Sequence, residues 1–197
     1  MDTAALRRAV MAMPQDRLTA SVPGRSPERD PARRTLLLAD AGASEALART
    51  LAPFVRHGDM ICLNGALGVG KTTFARALIR ALAEDEGLEA PSPSFTLVQT
   101  YATPRVTVYH VDLYRLDDFA ATVELGIEEM LDDGVVIVEW PDRLGTHLPS
   151  ARLELAIEET ASLRDDRHVT LCGYRRWAGV VGGMAGGDGP AGGQERA

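Results

Sequence analysis

Residues 65–72 read Gly-Ala-Leu-Gly-Val-Gly-Lys-Thr and match the pattern G-x-x-x-x-G-K-[ST] at every fixed position. The glycines let backbone N–H groups turn inward around an anion, a conformation that other residues reach only with strain. An apolar run, Met60–Asn64, precedes the loop, and apolar residues recur at helical spacing after Lys71. A helix beginning at this lysine would point the positive end of its dipole at the anion. The sequence therefore predicts a strand, a phosphate-binding loop and a helix in immediate succession.

Two side chains of the loop carry the chemistry that this pattern requires. Lys71 is the sole lysine of the chain, and we expect its compact charge to contact the β- and γ-phosphates of a nucleotide. The hydroxyl of Thr72 is the expected ligand of a magnesium ion. We therefore expect the chain to bind and hydrolyse ATP, or a close relative of ATP, together with Mg²⁺.

The composition is that of an ordinary globular protein, with 45% hydrophobic and 25% charged residues in a chain of 197. This length suits one α/β domain. The formal net charge of −7 argues against autonomous, non-specific binding of nucleic acid. No apolar run approaches the roughly 18 residues that a membrane-spanning helix needs, and Cys62 and Cys172 fall in apolar segments, as expected of buried thiols. These features predict a cytoplasmic protein without a membrane segment.

The two ends of the chain differ in composition from its middle. Residues 1–33 combine prolines with many charged residues, and we expect a disordered extension there. Glycines are frequent in residues 177–197, which predicts a flexible tail. Residues 34–176 are predicted to form the folded P-loop ATPase domain.

Predicted strands and helices alternate within the folded part. The expected fold is α/β, a three-layer sandwich of the P-loop NTPase type with a mostly parallel sheet and an antiparallel portion late in the chain. The predicted strands are 35–39, 60–64, 95–103, 106–111, 135–138, 152–157 and 168–171, and the predicted helices are 44–55 with Ser44 as N-cap, 71–84 and 119–131.

Two acidic residues stand where predicted strands end. Glu139 follows the apolar run 135–138, and Asp112 follows the strand 106–111. Because functional sites of open α/β sheets lie beyond the carboxyl ends of the strands, either carboxylate can reach a metal beside the phosphate loop. We favour Glu139 as the metal ligand, with Asp112 as a second ligand or as the group that orients water.

Three further features allow both a functional and a structural interpretation. Residues 92–96 suit a nucleotide-sensing switch, or else form a rigid connection. His110 is placed to relay a proton, or is packed in the strand. Trp140 would shape the pocket or contact a partner, or pack in the core.

Several classes of P-loop protein are excluded. The guanine-reading motif Asn-Lys-x-Asp needs a second lysine, and the ABC signature Leu-Ser-Gly-Gly-Gln is absent. A P-loop kinase for a small metabolite stays open as an alternative. Such a kinase needs a lid that carries arginines, and arginines are available at positions 115, 143, 152, 164 and 167. A nucleotide-gated binding module without turnover is a third hypothesis.

At this point the motifs resemble those of the TsaE family (formerly YjeE), the small ATPases of bacterial tRNA threonylcarbamoyladenosine synthesis. The resemblance runs from about Leu36 to Leu171 and rests on four strings in family order: LNGALGVGKTTFARAL, PSPSFTLVQTY, VYHVDLYRL and ELGIEEMLDDGVVIVEWPDRL. Ala66 and Val69 depart from common family residues at variable loop positions, and Ser94 replaces the usual threonine but keeps the hydroxyl.

The resemblance implies a role for each matched residue. Thr72 and Glu139 would hold magnesium, Asp112 would belong to the same acidic cluster, and residues 92–96 would be the switch. Lys71, Asp112 and Glu139 would be the catalytic residues, Trp140 a pocket or interface residue, and residues near Asp40 and Ala41, with Arg167, weaker candidates for adenine contacts. The phosphate-binding residues would be Gly65, Ala66, Leu67, Gly68, Val69, Gly70, Lys71, Thr72 and Thr73.

The resemblance also implies partners. The ATPase would be an accessory subunit that docks on the TsaD–TsaB pair and resets it through ATP turnover. It would meet tRNA only through that complex, which agrees with the acidic net charge. Hydrolysis by the chain alone is expected to be slow, since no arginine finger is evident beside the loop.

Overall fold

A computed structural model describes residues 31–116, 119–161 and 165–184 of the protein. Its centre is one seven-stranded sheet with the strand order β1-β7-β6-β2-β5-β4-β3. The strands are β1 (Ala32–Leu38), β2 (Met60–Asn64), β3 (Val98–Ala102), β4 (Thr107–Asp112), β5 (Gly134–Glu139), β6 (Arg152–Glu159) and β7 (Arg167–Gly173). The helices are α1 (Ala41–Leu51), α2 (Lys71–Ala83), α3 (Phe119–Glu124), α4 (Ile127–Asp133) and α5 (Arg176–Gly183), with short 3₁₀ turns at Ala52–Phe54 and Pro141–Leu144.

The middle of the sheet is parallel and its flanks are antiparallel. Strand β2 pairs parallel with β6 and with β5, and β5 also pairs parallel with β4. Strand β3 pairs antiparallel with β4, and β7 pairs antiparallel with both β6 and β1. The α/β class with a mixed P-loop-type sheet is confirmed. The antiparallel portion is not confined to the late strands β6 and β7, because β1 and the β3–β4 pair also belong to it. The short connection between β3 and β4 forces that pair to be antiparallel, because parallel strands need a long crossover.

Helices cover both faces of the sheet, which gives the three layers. Alternate residues of β2 show this division: Ile61 and Leu63 belong to the core formed with α1, α2 and α5, while Met60 and Cys62 belong to the core formed with α4. Strand β2 is thus buried on both sides, as a continuous apolar run in a parallel sheet requires. Because β2 is held on both sides, its carboxyl end offers a fixed starting point for the phosphate loop.

Two helix boundaries differ from those expected. The N-cap of α1 is Asp40 and not Ser44, because the Asp40 carboxylate accepts a 2.8 Å hydrogen bond from the Ala43 N–H. The predicted helix over residues 119–131 is interrupted at Gly126, which has a left-handed φ of 69° and precedes α4. Within the described residues, no helix is both long and apolar enough to span a bilayer.

The boundary expected at residue 177 is wrong, since the chain forms α5 there. Trp177 is completely buried and packs with Val180 and Val181 in the core shared with α1 and α2. Its side chain overrides the glycine-rich composition, because burying a tryptophan removes a large apolar surface from water. Residues 1–30 and 185–197, which hold most of the expected extension and tail, lie outside the described residues.

A buried carboxylate fixes α5 to the beginning of β2. Asp59 is 2% exposed and accepts hydrogen bonds from the Arg56 N–H at 2.7 Å and the Trp177 indole N–H at 3.1 Å. The Arg176 guanidinium donates to both Asp59 oxygens and, at 2.9 Å, to the Phe54 carbonyl. Burial lowers the pKa of Arg176 to about 10. These contacts satisfy a charge that would otherwise be costly to bury.

We expect Asp59→Asn to destabilise the fold, because it leaves the Arg176 charge without its partner. The Arg176 side chain is 29% exposed, so hydration recovers part of the loss and we expect the free energy of unfolding to fall by about 2–3 kcal/mol. Urea unfolding measures the change. The matched control is Asp165→Asn, whose carboxylate is 93% exposed and 3.7 Å from Arg167, and which should change stability by less than about 0.5 kcal/mol. Equal losses in the two variants would contradict this role of the Asp59 cluster.

Candidate functional site

The phosphate loop occupies residues 65–70, between the end of β2 and the beginning of α2. Gly65 has a φ of 142°, and a Cβ atom there would lie 2.4 Å from the Ile157 carbonyl oxygen of β6. Gly70 is the N-cap of α2 and has a φ of 113°. Both positions therefore require glycine, the first because of close approach to β6 and the second because of its left-handed backbone.

The Lys71 ammonium lies inside the loop that precedes it. It donates hydrogen bonds of 2.8 Å to the carbonyl oxygens of Gly65 and Ala66 and stands 4.0 Å from the centroid of the Trp140 ring. Burial lowers the pKa of Lys71, while the charges of Glu139 and Asp112 act in the opposite direction. A triphosphate would bring further negative charge and favour the charged form of this ammonium.

Glu139 ends β5 beside the beginning of α2. Its side chain is 3% exposed, and its two carboxylate oxygens lie 2.9 and 3.0 Å from the Thr72 hydroxyl, which donates to them. The ring nitrogen Nε2 of His110 is 2.9 Å from the same carboxylate. Glu139 and Thr72, the two residues predicted to hold magnesium, are thus in direct contact.

Asp112 ends β4 and pairs in register with Glu139 of β5. It is 3% exposed, and its carboxylate accepts hydrogen bonds from the Ser94 hydroxyl at 2.5 Å and from the Tyr114 N–H at 3.0 Å. The Ser92 hydroxyl is 2.7 Å from that of Ser94. The segment expected to be a switch is therefore joined to an acidic strand end by its hydroxyl groups.

These groups surround an open cavity of about 300 Å³. The Tyr114 ring forms one wall, with its centroid 5.1 Å from that of Trp140. Trp140 has a left-handed φ of 61°, which turns the chain sharply after β5 and places its ring over the loop. The lining residues are Leu67, Gly68, Gly70, Lys71, Thr72, Thr73, Ser92, Ser94, Asp112, Tyr114, Glu139 and Trp140.

The donor atoms at the cavity are of the kind that magnesium prefers. Thr72 offers a hydroxyl, and Glu139 and Asp112 offer carboxylates, all oxygen ligands. In the described part of the chain, no group of three or more His, Cys, Asp and Glu side chains is arranged to enclose a metal. Magnesium is commonly held by one or two carboxylates, water and substrate phosphates, so the residues present fit this ion.

The remaining predicted positions lie around this centre. Val69 is buried in the core behind the loop, and its carbonyl oxygen is 3.4 Å from the Arg167 Nε. Arg167 thus contacts the back of the loop, and Asp40 caps α1; neither belongs to the lining of the cavity. Of the nine predicted phosphate-binding residues, six line the cavity directly, while Gly65 and Ala66 contact Lys71 through their carbonyls.

The position of Tyr114 at the cavity and the contact of His110 with Glu139 were not predicted. Tyr114 follows Asp112 by two residues, and its backbone N–H bonds to that carboxylate. Its position two residues after a strand-end acid is the signal in the sequence for a place at the cavity. The contact of His110 with Glu139 depends on the pairing of β4 with β5, which the local sequence does not reveal.

Comparison with known proteins gives a consistent match over this region. The family model described as "Threonylcarbamoyl adenosine biosynthesis protein TsaE" matches residues 38–169. That range contains the phosphate loop and both strand-end acids.

Individual relatives carry the same description. The tRNA threonylcarbamoyladenosine biosynthesis protein TsaE of Rickettsia bellii is 39% identical over 122 residues, which is 62% of this chain and 82% of that protein. The protein of the same name from Bacillus subtilis is 34% identical over 129 residues, covering 65% and 78% of the two chains. The crystal structure of Bacillus subtilis YdiB superposes with a TM-score of 0.65 at 26% identity and covers 80% of this chain and 97% of YdiB.

We expect Gly65→Ala to damage the loop more than Gly68→Ala. The first adds a Cβ atom 2.4 Å from a carbonyl oxygen, whereas at Gly68, with a φ of 80°, the added atom meets no described atom within 4 Å. Gly68→Ala should cost about 1–2 kcal/mol of backbone strain, and Gly65→Ala should cost more than about 2 kcal/mol because the clash adds to the strain. Urea unfolding of both variants measures the difference, and a smaller loss for Gly65→Ala would contradict the described loop geometry.

Proposed function

The chain belongs to the TsaE family of threonylcarbamoyl adenosine biosynthesis proteins, and from this premise we propose that it is a magnesium-dependent ATPase of that pathway. The observation that carries the proposal is the contact between Thr72 and Glu139 beside the Lys71 ammonium, at the mouth of one cavity. This is the arrangement that a P-loop ATPase needs to hold a metal-bound triphosphate.

Each group has a distinct role in the proposed reaction. Lys71 and the amides of the loop bind the β- and γ-phosphates, and Thr72 and Glu139 hold Mg²⁺, which when bound neutralises charge on the phosphate oxygens. Asp112 orients the water that attacks the γ-phosphorus, or serves as a second metal ligand. ADP leaves as the bond from its terminal oxygen to that phosphorus breaks, and the proton lost by the water passes to the released phosphate or to solvent. Lys71, Asp112 and Glu139 are therefore the proposed catalytic residues.

Hydrolysis by the isolated chain should be slow. Among the described residues that line the cavity there is no arginine, so no guanidinium is in place to stabilise charge developing on the γ-phosphate. A partner that contributes such a group, or that orders residues 92–96, would raise the rate.

The rim of the cavity supports docking of a partner protein. Leu67 at the tip of the loop is 70% exposed and Phe95 in the switch segment is 83% exposed, while Tyr114 nearby is 41% exposed. Large apolar side chains gathered around a polar site are typical of a protein interaction surface. We propose that TsaD and TsaB homologues cover this rim in the cytoplasm, that ATP turnover resets their complex, and that tRNA is met only through it.

The test of this function measures phosphate release by the purified chain, alone and with TsaD–TsaB. We expect slow release by the chain alone and a rise of about tenfold or more when the partners are added. Lys71→Ala should abolish both rates, because it removes the charge that contacts the phosphates, while Arg49→Ala on the surface of α1 should change neither.

Two outcomes would contradict the proposal. Transfer of labelled phosphate to a small metabolite, with no release to water, would indicate a kinase. Tight binding of ATP that stays intact with and without partners would indicate a nucleotide-gated binding module.

We expect Glu139→Gln to weaken magnesium binding specifically. Glutamine keeps the shape of the side chain and a carbonyl oxygen near Thr72, but it removes the negative charge. The magnesium concentration for half-maximal hydrolysis should rise by about tenfold or more. Glu158→Gln, which alters an exposed carboxylate on β6, is the control. An unchanged magnesium titration for Glu139→Gln would exclude Glu139 as a ligand.

A further inference from the structure

His110 is a completely buried histidine beside the site, and the proposed reaction does not use it. It lies in β4, where it pairs with Gln99 of β3 on one side and Ile137 of β5 on the other. Its Nε2 atom is 2.9 Å from the Oε1 atom of Glu139, which is itself 3% exposed. His110 does not line the cavity, so its effect on a nucleotide must pass through Glu139.

The hydrogen bonding of the ring indicates which nitrogen carries the proton. The Nδ1 atom is buried and has no hydrogen-bond partner among the described residues. A proton on Nδ1 would be a buried donor without an acceptor, which is more costly than an unpaired acceptor lone pair. We therefore place the proton on Nε2, from where it is donated to Glu139.

The Glu139 carboxylate is then held from two directions. The Thr72 hydroxyl reaches both of its oxygens, at 2.9 and 3.0 Å, and the His110 ring reaches Oε1 from the side of β4. The Thr72 hydroxyl, in the first turn of α2, must exchange its contact with Glu139 when metal binds, whereas His110 belongs to a strand paired on both sides. The histidine is thus the fixed reference for the orientation of this carboxylate.

Packing alone does not account for a histidine at this position. The neighbouring Val108 and Ile137 belong to the apolar core on the same side of the sheet, where an aliphatic side chain would bury without a polar cost. The hydrogen bond to Glu139 offsets part of the free-energy cost of burying the imidazole. Ligands of metals are commonly oriented by such a second hydrogen-bonding partner.

We propose that His110 is a positioning residue that orients Glu139 for magnesium through an Nε2–H donor, an inference that rests on the proposed ATPase function. The Oε1 atom accepts from His110 as well as from Thr72, so the hydrogen bond from His110 restricts rotation of the carboxylate and leaves Oε2 with Thr72 as its partner. The affinity for magnesium depends on this orientation, whereas the binding of the triphosphate to Lys71 and the loop amides does not.

The experiment compares His110→Asn with His110→Gln in the full chain, with TsaD–TsaB present. The glutamine amide reaches the position of Nε2, and the asparagine amide reaches only that of Nδ1, so the two variants carry the same group with different reach. For His110→Asn we expect the magnesium concentration at half-maximal hydrolysis to rise by about tenfold or more, with the KM for ATP at saturating magnesium changed less than about twofold. His110→Gln should return the magnesium requirement to within about threefold of the wild type.

The outcomes separate this inference from the proposed function. If the wild type releases no phosphate in the same assay, the ATPase proposal fails. If the wild type is active and His110→Asn loses activity with an unchanged magnesium titration, the histidine is merely structural and the positioning role is overturned. Equal behaviour of the asparagine and glutamine variants would overturn it as well.

If the His110 variants do not fold, the tautomer of the ring is measured in a protein that keeps His110. The chain has four histidines, and His57→Gln, His147→Gln and His168→Gln together leave His110 alone. Nitrogen-15 NMR of its ring should show a protonated Nε2 and an unprotonated Nδ1. An Nδ1–H tautomer would overturn the inference.

Discussion

The register of three neighbouring parallel strands is the constraint on which the site depends. Glu139 of β5 pairs with Leu63 of β2 on one side and with Asp112 of β4 on the other. Both acids therefore end their strands at the level where β2 gives way to the phosphate loop. A slip of one residue would turn these carboxylates to the opposite face of the sheet. The burial of β2, β4 and β5 in two apolar cores prevents such a slip, so the cores of the protein also set the distances at the cavity.

The buried charges of the described residues are concentrated in two places. Lys71, Asp112 and Glu139 lie at the cavity, and Asp59 lies at the opposite end of β2. Asp59 accepts hydrogen bonds from Arg56, Arg176 and Trp177, so its partners are all part of the folded chain and the cluster stabilises the fold. At the cavity, by contrast, Lys71 donates to backbone carbonyls and Thr72 to a carboxylate, and in the proposed reaction a metal-bound nucleotide would replace these partners. Charges whose partners are exchangeable are suited to binding, whereas charges whose partners are fixed are suited to stability.

Local sequence was sufficient wherever one segment determines its own structure. The loop at 65–70 and the buried strand Met60–Asn64 lie at the predicted positions, because glycine spacing and apolar runs are local signals. Helix α5 was not anticipated, because its stability comes from Trp177 packing against distant elements and from Arg176 bonding to Asp59, 117 positions earlier. The contact between His110 and Glu139 likewise joins residues 29 positions apart. The alternation of strands and helices along the chain was enough to predict an α/β sheet. The extent of its antiparallel part depends on β1 and β3, which form the two edges of the sheet and pair antiparallel with their neighbours.

The pairing of β1 with β7 has a consequence for how the protein reaches its native state. The first strand of the described chain lies along the last from Ala32 opposite Gly173 to Leu38 opposite Arg167, and α5 then packs over both. Closing this pair brings together parts of the chain with nearly the whole domain between them, which is entropically demanding and slows folding. During synthesis, β1 has no partner until β7 has left the ribosome, and its edge stays open to other chains for that time. The sheet is thus completed only when its first strand meets its last, so the edge strand β1 depends for its protection on the most distant part of the domain.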